Sequence, residues 1–120
     1  MIFENEEHES LYEKYMLSMP SHDCYHKALA YLMALLDDMG DSHGIRIYDK
    51  VEDCIKPEVL HEGWQTGSSK KATRLAFNLF TDGSEWTDDL EHLTPVEVFA
   101  DAQWRQYFFE AVKIRFEDVK

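Results

Sequence analysis

The sequence predicts an all-α fold: a compact single domain, residues 1–120, with five to six helices packed around an apolar C-terminal helix. Two observations carry this. Apolar residues recur at three- and four-residue intervals through most of the chain, the spacing that gives a helix one core-facing stripe. Helix start and stop residues such as Asn5, Pro20, Gly40 and the Thr94-Pro95 pair bracket those stretches. A chain of 120 residues buries roughly two-thirds of its unfolded surface, enough for one core. Its 44% apolar and 13% aromatic residues can fill that core.

Asn5 caps a first helix and sets Glu6, Glu7 and Glu9 against its positive end. His8, Leu11, Tyr12, Tyr15, Met16 and Met19 form its core stripe, and Pro20 stops it. Ser21 caps a second helix that reaches Met39 and ends at Gly40. Its apolar arc holds Cys24, Tyr25, Ala28, Leu29, Leu32, Leu35, Leu36 and Met39, opposite Asp23, Lys27, Asp37 and Asp38. From Asp41 to Pro57, Ile45, Ile47, Val51 and Ile55 mix a two-residue with a four-residue period. That mixture predicts a short helix or a few extended residues, then a second short helix before Pro57. Pro57 itself opens a one- or two-turn helix through Glu62, which Gly63 ends.

Ser68 or Ser69 caps the next helix, with Ala72, Leu75, Ala76, Leu79 and Phe80 on its core side and Lys70, Lys71, Arg74 and Asn78 opposite. Gly83 ends it, and Trp86, Leu90 and Leu93 pin a polar connection running from Asp82 to His92. Thr94-Pro95-Val96-Glu97 is a capping box with proline at the first helical position, and the short helix it starts buries Val96 or Val98 together with Phe99. The last helix, from about Ala102 to Phe116, is apolar around nearly its whole circumference through Trp104, Tyr107, Phe108, Phe109, Ala111, Val112, Ile114 and Phe116. A helix of that kind takes the centre of a bundle.

Twelve basic residues stand against twenty-four acidic ones, a formal charge of -12. Such a field repels phosphate backbones and anionic membranes, which argues against direct nucleic-acid or membrane binding and favours basic protein surfaces as partners. The charge is uneven: residues 63–82 carry three basic groups and one acidic. Met1 to Glu9 has neither a basic residue nor an apolar run, so no signal peptide is expected, and the expected location is cytoplasmic. Cys24 and Cys54 form no disulfide framework or zinc pattern and are read as reduced packing residues.

The stretch from Gly63 to Phe80 concentrates the candidate ligand-binding residues: Trp64, Gly67, Ser68, Ser69, Lys70, Lys71 and Arg74. It runs from a tryptophan loop, with Trp64 folded back onto the core, into a helix start where free N–H groups and nearby cations favour an anion. The spacing of a P-loop is absent. The structural alternative is a capped helix with a solvated basic face. His22 and His26, one turn apart at the rim of an apolar arc, have metal-ligand spacing but lack a third and fourth ligand, so neither metal nor cofactor is implied. Arg115 falls inside the apolar arc of the last helix and must be paired by a carboxylate or stacked on a ring. No nucleophile-and-base pattern points to catalysis.

At Cys54-Ile55-Lys56-Pro57-Glu58, Gly63-Trp64-Gln65-Thr66-Gly67, Arg74-Leu75-Ala76-Phe77-Asn78-Leu79 and Lys113-Ile114-Arg115-Phe116, the chain resembles a domain family of unknown function made up of small acidic proteins from Gram-positive bacteria and their mobile elements. The resemblance implies a small helical fold and a phage or plasmid setting, and it supplies no activity. The function expected is a non-enzymatic acidic interaction module, a phosphate mimic that docks on a basic, nucleic-acid-handling host protein. The alternative is a small enzyme or ligand-binding domain with an anion pocket between Trp64 and Arg74. A homodimer that covers the last helix stays open.

Overall fold

Nine consecutive apolar residues, Ala28 to Leu36, leave helix α2 (Cys24–Leu36) no polar face along that run. It is the element the others cover. In the computed structural model, which describes residues 1–37, 42–83 and 94–117, α2 packs against α1 (Glu6–Ser18), α3 (Gly67–Thr81) and α5 (Arg105–Arg115). Leu29, Tyr31, Leu32, Leu35 and Leu36 are fully buried, each worth roughly 1.5–3 kcal/mol of transfer free energy. The fold is mostly helical, as predicted, and a two-stranded antiparallel sheet accompanies the helices.

The aromatic content of the last helix predicts a central place for it; α2 holds that place instead. The reason is polar interruption. Arg105, Gln106 and Lys113 need solvent, so α5 sits against α2 by one face through Phe108, Ala111 and Ile114. Phe109 remains 50% exposed, its outward ring stacked at 4.4 Å on Phe99 from α4 (Pro95–Phe99). Val98, not Val96, is the buried valine of α4.

Helix starts follow side-chain chemistry. Asn5 accepts from the His8 N–H as predicted, and Thr94 accepts from the Glu97 N–H with Pro95 following. Two caps differ from expectation. Asp23, not Ser21, caps α2, and the Ser21 hydroxyl accepts the Asp23 N–H one step earlier. Thr66, not Ser68 or Ser69, caps α3, with Ser69 as its reciprocal capping-box partner. Phe77 joins the α3 core face at 0% exposure, while Phe80 is only half-buried. The predicted end of the second helix at Met39 and Gly40, and the residues Trp86, Leu90 and Leu93, lie outside the described residues.

The mixed periodicity after α2 resolves into a 3-10 turn (Gly44–Arg46) and two short paired strands. Strand β1 (Tyr48–Asp49) pairs with β2 (Cys54–Ile55) in the register Tyr48 to Ile55, where a second short helix is expected. Asp53, in the intervening turn, adopts a left-handed φ of 53° that aspartate tolerates. Pro57 opens the expected short helix, a 3-10 turn over Pro57–His61.

Three buried polar groups fix how these pieces meet. Asp37, expected on the solvent side of α2, is buried: it accepts the Tyr15 hydroxyl at 2.5 Å and the Gly44 N–H at 2.8 Å, tying α1 and the 3-10 turn to the end of α2. Asp101 accepts the N–H groups of Gln103 and Trp104 ahead of α5 and the hydroxyl of Ser68 at the start of α3. His8 accepts the Glu4 N–H at Nδ1, so its proton sits on Nε2 and goes to the Tyr31 carbonyl. An N-terminal strap completes the wrapping: Tyr31 donates its hydroxyl to the Ile2 carbonyl, Phe3 packs on Tyr31, and Trp104 donates its indole N–H to Glu4.

Gly44 lies so close to α2 that a Cβ there would stand 2.2 Å from the Met33 carbonyl oxygen, a backbone atom that cannot swing away. Gly44→Ala is expected to lower stability by about 2–3 kcal/mol, read as a drop in the urea midpoint. An unchanged midpoint contradicts the close approach.

Candidate functional site

The capping side chains at the α3 start are already engaged within the protein. The Ser68 hydroxyl donates to Asp101 at 2.5 Å, and the Ser69 hydroxyl, fully buried, bonds to Gln65 and to the Thr66 cap. A carboxylate, that of Asp101, stands beside this helix start and accepts the Ser68 hydroxyl. Lys70 and Lys71 are half-buried beyond it, and Gly67 is exposed. Arg74, expected on the solvent side, is buried at 7% exposure. Its guanidinium is therefore not presented to an approaching ligand. Trp64 folds back as expected: its ring stacks on His43 at 4.1 Å with 6° between planes, and its Nε1–H donates to Glu62.

His26 presents a different constellation. Its imidazole is buried, with Nδ1 at 2.7 Å from Asp23 and Nε2 at 2.8 Å from Asp53, whose same oxygen accepts the Tyr48 hydroxyl. The ring lies edge-on to Phe80. Burial opposes a charged imidazole, but the hydrogen bonds and charges of the two carboxylates outweigh it and raise the pKa above its ordinary value. Burial likewise raises the two carboxyl groups, and the bonds from His26, with Tyr48 on Asp53, more than reverse it, so both titrate below the usual range. The cluster clasps the hairpin turn to the start of α2. With both ring nitrogens taken by carboxylates on opposite sides, and His22 exposed, the pair His22 and His26 does not converge on a common point.

Arg115 is 8% exposed and is held in both of the ways its position demands. Nε donates to the Leu79 carbonyl at 2.9 Å, Nη2 donates to Asp82, and the guanidinium lies 3.6 Å from the centre of the Tyr25 ring. Asp82, not Gly83, is the left-handed residue ending α3, with φ 62°. An aspartate there lets one residue end the helix through its backbone and receive both Arg115 and the Tyr25 hydroxyl through its carboxylate. Cys24 is half-buried beside this guanidinium, whereas Cys54 is exposed on β2 and is not the packing residue expected.

The outward face of α1 is an extended acidic surface. Glu6, Glu9 and Glu13 fall at helical spacing on one stripe, all exposed, and Leu17 continues it at 83% exposure. Among the described residues none of these carboxylates forms an ion pair. No helix among the described residues is long and apolar enough to cross a membrane.

A model of a family of unknown function (DUF6075) matches residues 1–120. The chain belongs to the DUF6075 family. This bears out the resemblance to a family of unknown function and attaches no activity, ligand or partner. Neither a comparison with curated proteins nor one with solved structures returns a match.

For this DUF6075 protein the His26 clasp gives a signed pH dependence. The raised imidazole contributes fully below its ordinary 6.5 and loses its contribution as pH climbs through the raised value. The lowered carboxylates contribute fully above their ordinary 3.8 and lose it as pH falls through the lowered values. Both carboxylates are about half exposed, which keeps the effect on stability small. An NMR titration is expected to place the His26 midpoint above 6.5, moving down in Asp53→Asn. A midpoint at or below the ordinary value contradicts the clasp.

Arg115→Lys keeps a charge but loses the planar fork, and is expected to cost about 1–3 kcal/mol through the unpaired Leu79 carbonyl and the lost stacking. Chemical denaturation measures this. A variant as stable as the parent removes the clamp from the account.

Proposed function

We propose that this DUF6075 protein is a non-enzymatic interaction module that docks its acidic face on a basic protein surface. The partner class that fits is a nucleic-acid-handling protein of the host, whose phosphate-gripping cations would accept a row of carboxylates in place of a nucleic-acid backbone. A cytoplasmic phage or mobile-element accessory role accords with that reading.

The observation that carries it is the α1 stripe. Glu6 to Glu13 spans about 10 Å of helix, with carboxylates unneutralised by the protein's own described cations and an exposed leucine at one end. Charges of this kind set encounter rate and partner choice, while an apolar residue beside them supplies a desolvated anchor. The formal charge of -12 extends the same field beyond the stripe. An anion pocket between Trp64 and Arg74 has less support, because Ser69 and Arg74 are buried and Asp101 stands beside the helix start.

The test is capture of a defined, heparin-binding host protein on immobilised chain at low and high salt, beside a Glu6→Gln, Glu9→Gln, Glu13→Gln variant. Capture is expected to fall at least tenfold in the variant and at high salt, and heparin should compete. Capture indifferent to both changes eliminates electrostatic docking through α1.

A further inference from the structure

A cleft of about 550 Å³ opens between α1, the end of α2 and the hairpin, within the range of about 300–1,000 Å³ typical of small-ligand sites. Three of the eight lysines line it: Lys14 from α1, Lys50 from the hairpin turn and Lys56 just after β2. Among the described residues none of the three forms an ion pair. The two carboxylates among the described lining residues each accept hydrogen bonds from neutral donors of the protein itself. Asp37 accepts from Tyr15 and Gly44, and Asp49 accepts the N–H groups of Val51 and Glu52 in the hairpin turn. The remaining wall is partly apolar, through Leu11, Met33 and Ile45.

Three lysines against two carboxylates give the described lining of this concavity a positive balance within a strongly acidic protein, a local reversal that favours an anion. A single negative charge gains little against the surrounding field, whereas a dianion engages two or three point-charge donors together. The apolar wall asks for a carbon body beside that charge. We infer that this cleft binds a small organic phosphate, a phosphomonoester dianion carried on an apolar or aromatic body.

The cleft holds one small molecule rather than a polymer, and the acidic exterior turns away nucleic acid while leaving this local site usable. The inference is independent of docking through α1. Glu6, Glu9 and Glu13 do not line the cleft, so either reading can fail alone.

Phenyl phosphate titrated into the full chain at low ionic strength, followed by amide and lysine side-chain NMR shifts, tests it. Saturable shifts are expected at Lys14, Lys50 and Lys56, with weaker binding of inorganic phosphate. Lys14→Gln with Lys50→Gln, both at exposed positions and expected to keep the parent's urea midpoint, is expected to weaken phenyl phosphate at least tenfold. Lys70→Gln with Lys71→Gln is expected to leave affinity within twofold. Shifts centred at Ser68 to Lys71, affinity unchanged in the Lys14 and Lys50 variant, equal affinity for inorganic phosphate, or no saturation at millimolar ligand each overturns the inference.

Discussion

The structure depends on sealing one helix. Ala28 to Leu36 cannot meet water on any side, so α1, α3 and α5 are each defined by the side of α2 they close. The magnitudes decide which effect dominates. Each buried leucine contributes roughly 1.5–3 kcal/mol, whereas an exposed ion pair contributes about 0–1. The large negative charge can therefore stay on the outside without determining the fold. The polar residues at the two ends of α2 are the places where chain identity, not mere hydrophobicity, sets the geometry. His26 fixes the hairpin at one end, and Asp37 fixes α1 and the 3-10 turn at the other.

Much of this was legible where the chemistry is local. Asn5 and the Thr94-Pro95-Val96-Glu97 box mark helix starts because a cap needs only a side-chain oxygen and an N–H two or three residues on. Arg115 was legible for another reason: a guanidinium in an apolar arc has to be paired wherever it lies, so its clamp follows from cost alone. Choices among equivalent neighbours were not legible. Ser21 and Asp23, or Thr66 and Ser69, are all competent caps, and the selected one depends on the direction from which the chain arrives. Asp37 reads as surface until Tyr15 and Gly44, distant in sequence, are seen to reach it. The central helix is not legible from aromatic count, because the unbroken apolar run of α2, and not the number of rings in α5, decides which helix is enclosed.

The candidate sites divide along the same line. The Trp64 to Arg74 stretch was visible as a run of charged and small residues, yet its hydroxyls serve the helix cap and Asp101, which no local pattern reveals. Lys14, Lys50 and Lys56 come from α1, the hairpin turn and the residue that follows β2, with no motif among them, so only the fold assembles their cleft. Charge composition is legible as a total, but its placement is not: acidic groups crowd the outer face of α1, while Arg74 and Arg115 are drawn inside.

The bond from Trp104 to Glu4 joins residues 100 positions apart. The pair α1 and α2 closes over a short stretch of chain, whereas this contact, like the packing of α2 on α5, spans most of it, and the entropy of closing so long a loop has to be met before the contact gives anything back. The first residues thus act as a latch between the approach to α1 and the start of α5. Hydrogen exchange at the start of α1 should then follow the docking of Trp104 rather than the intrinsic fraying of its own helix.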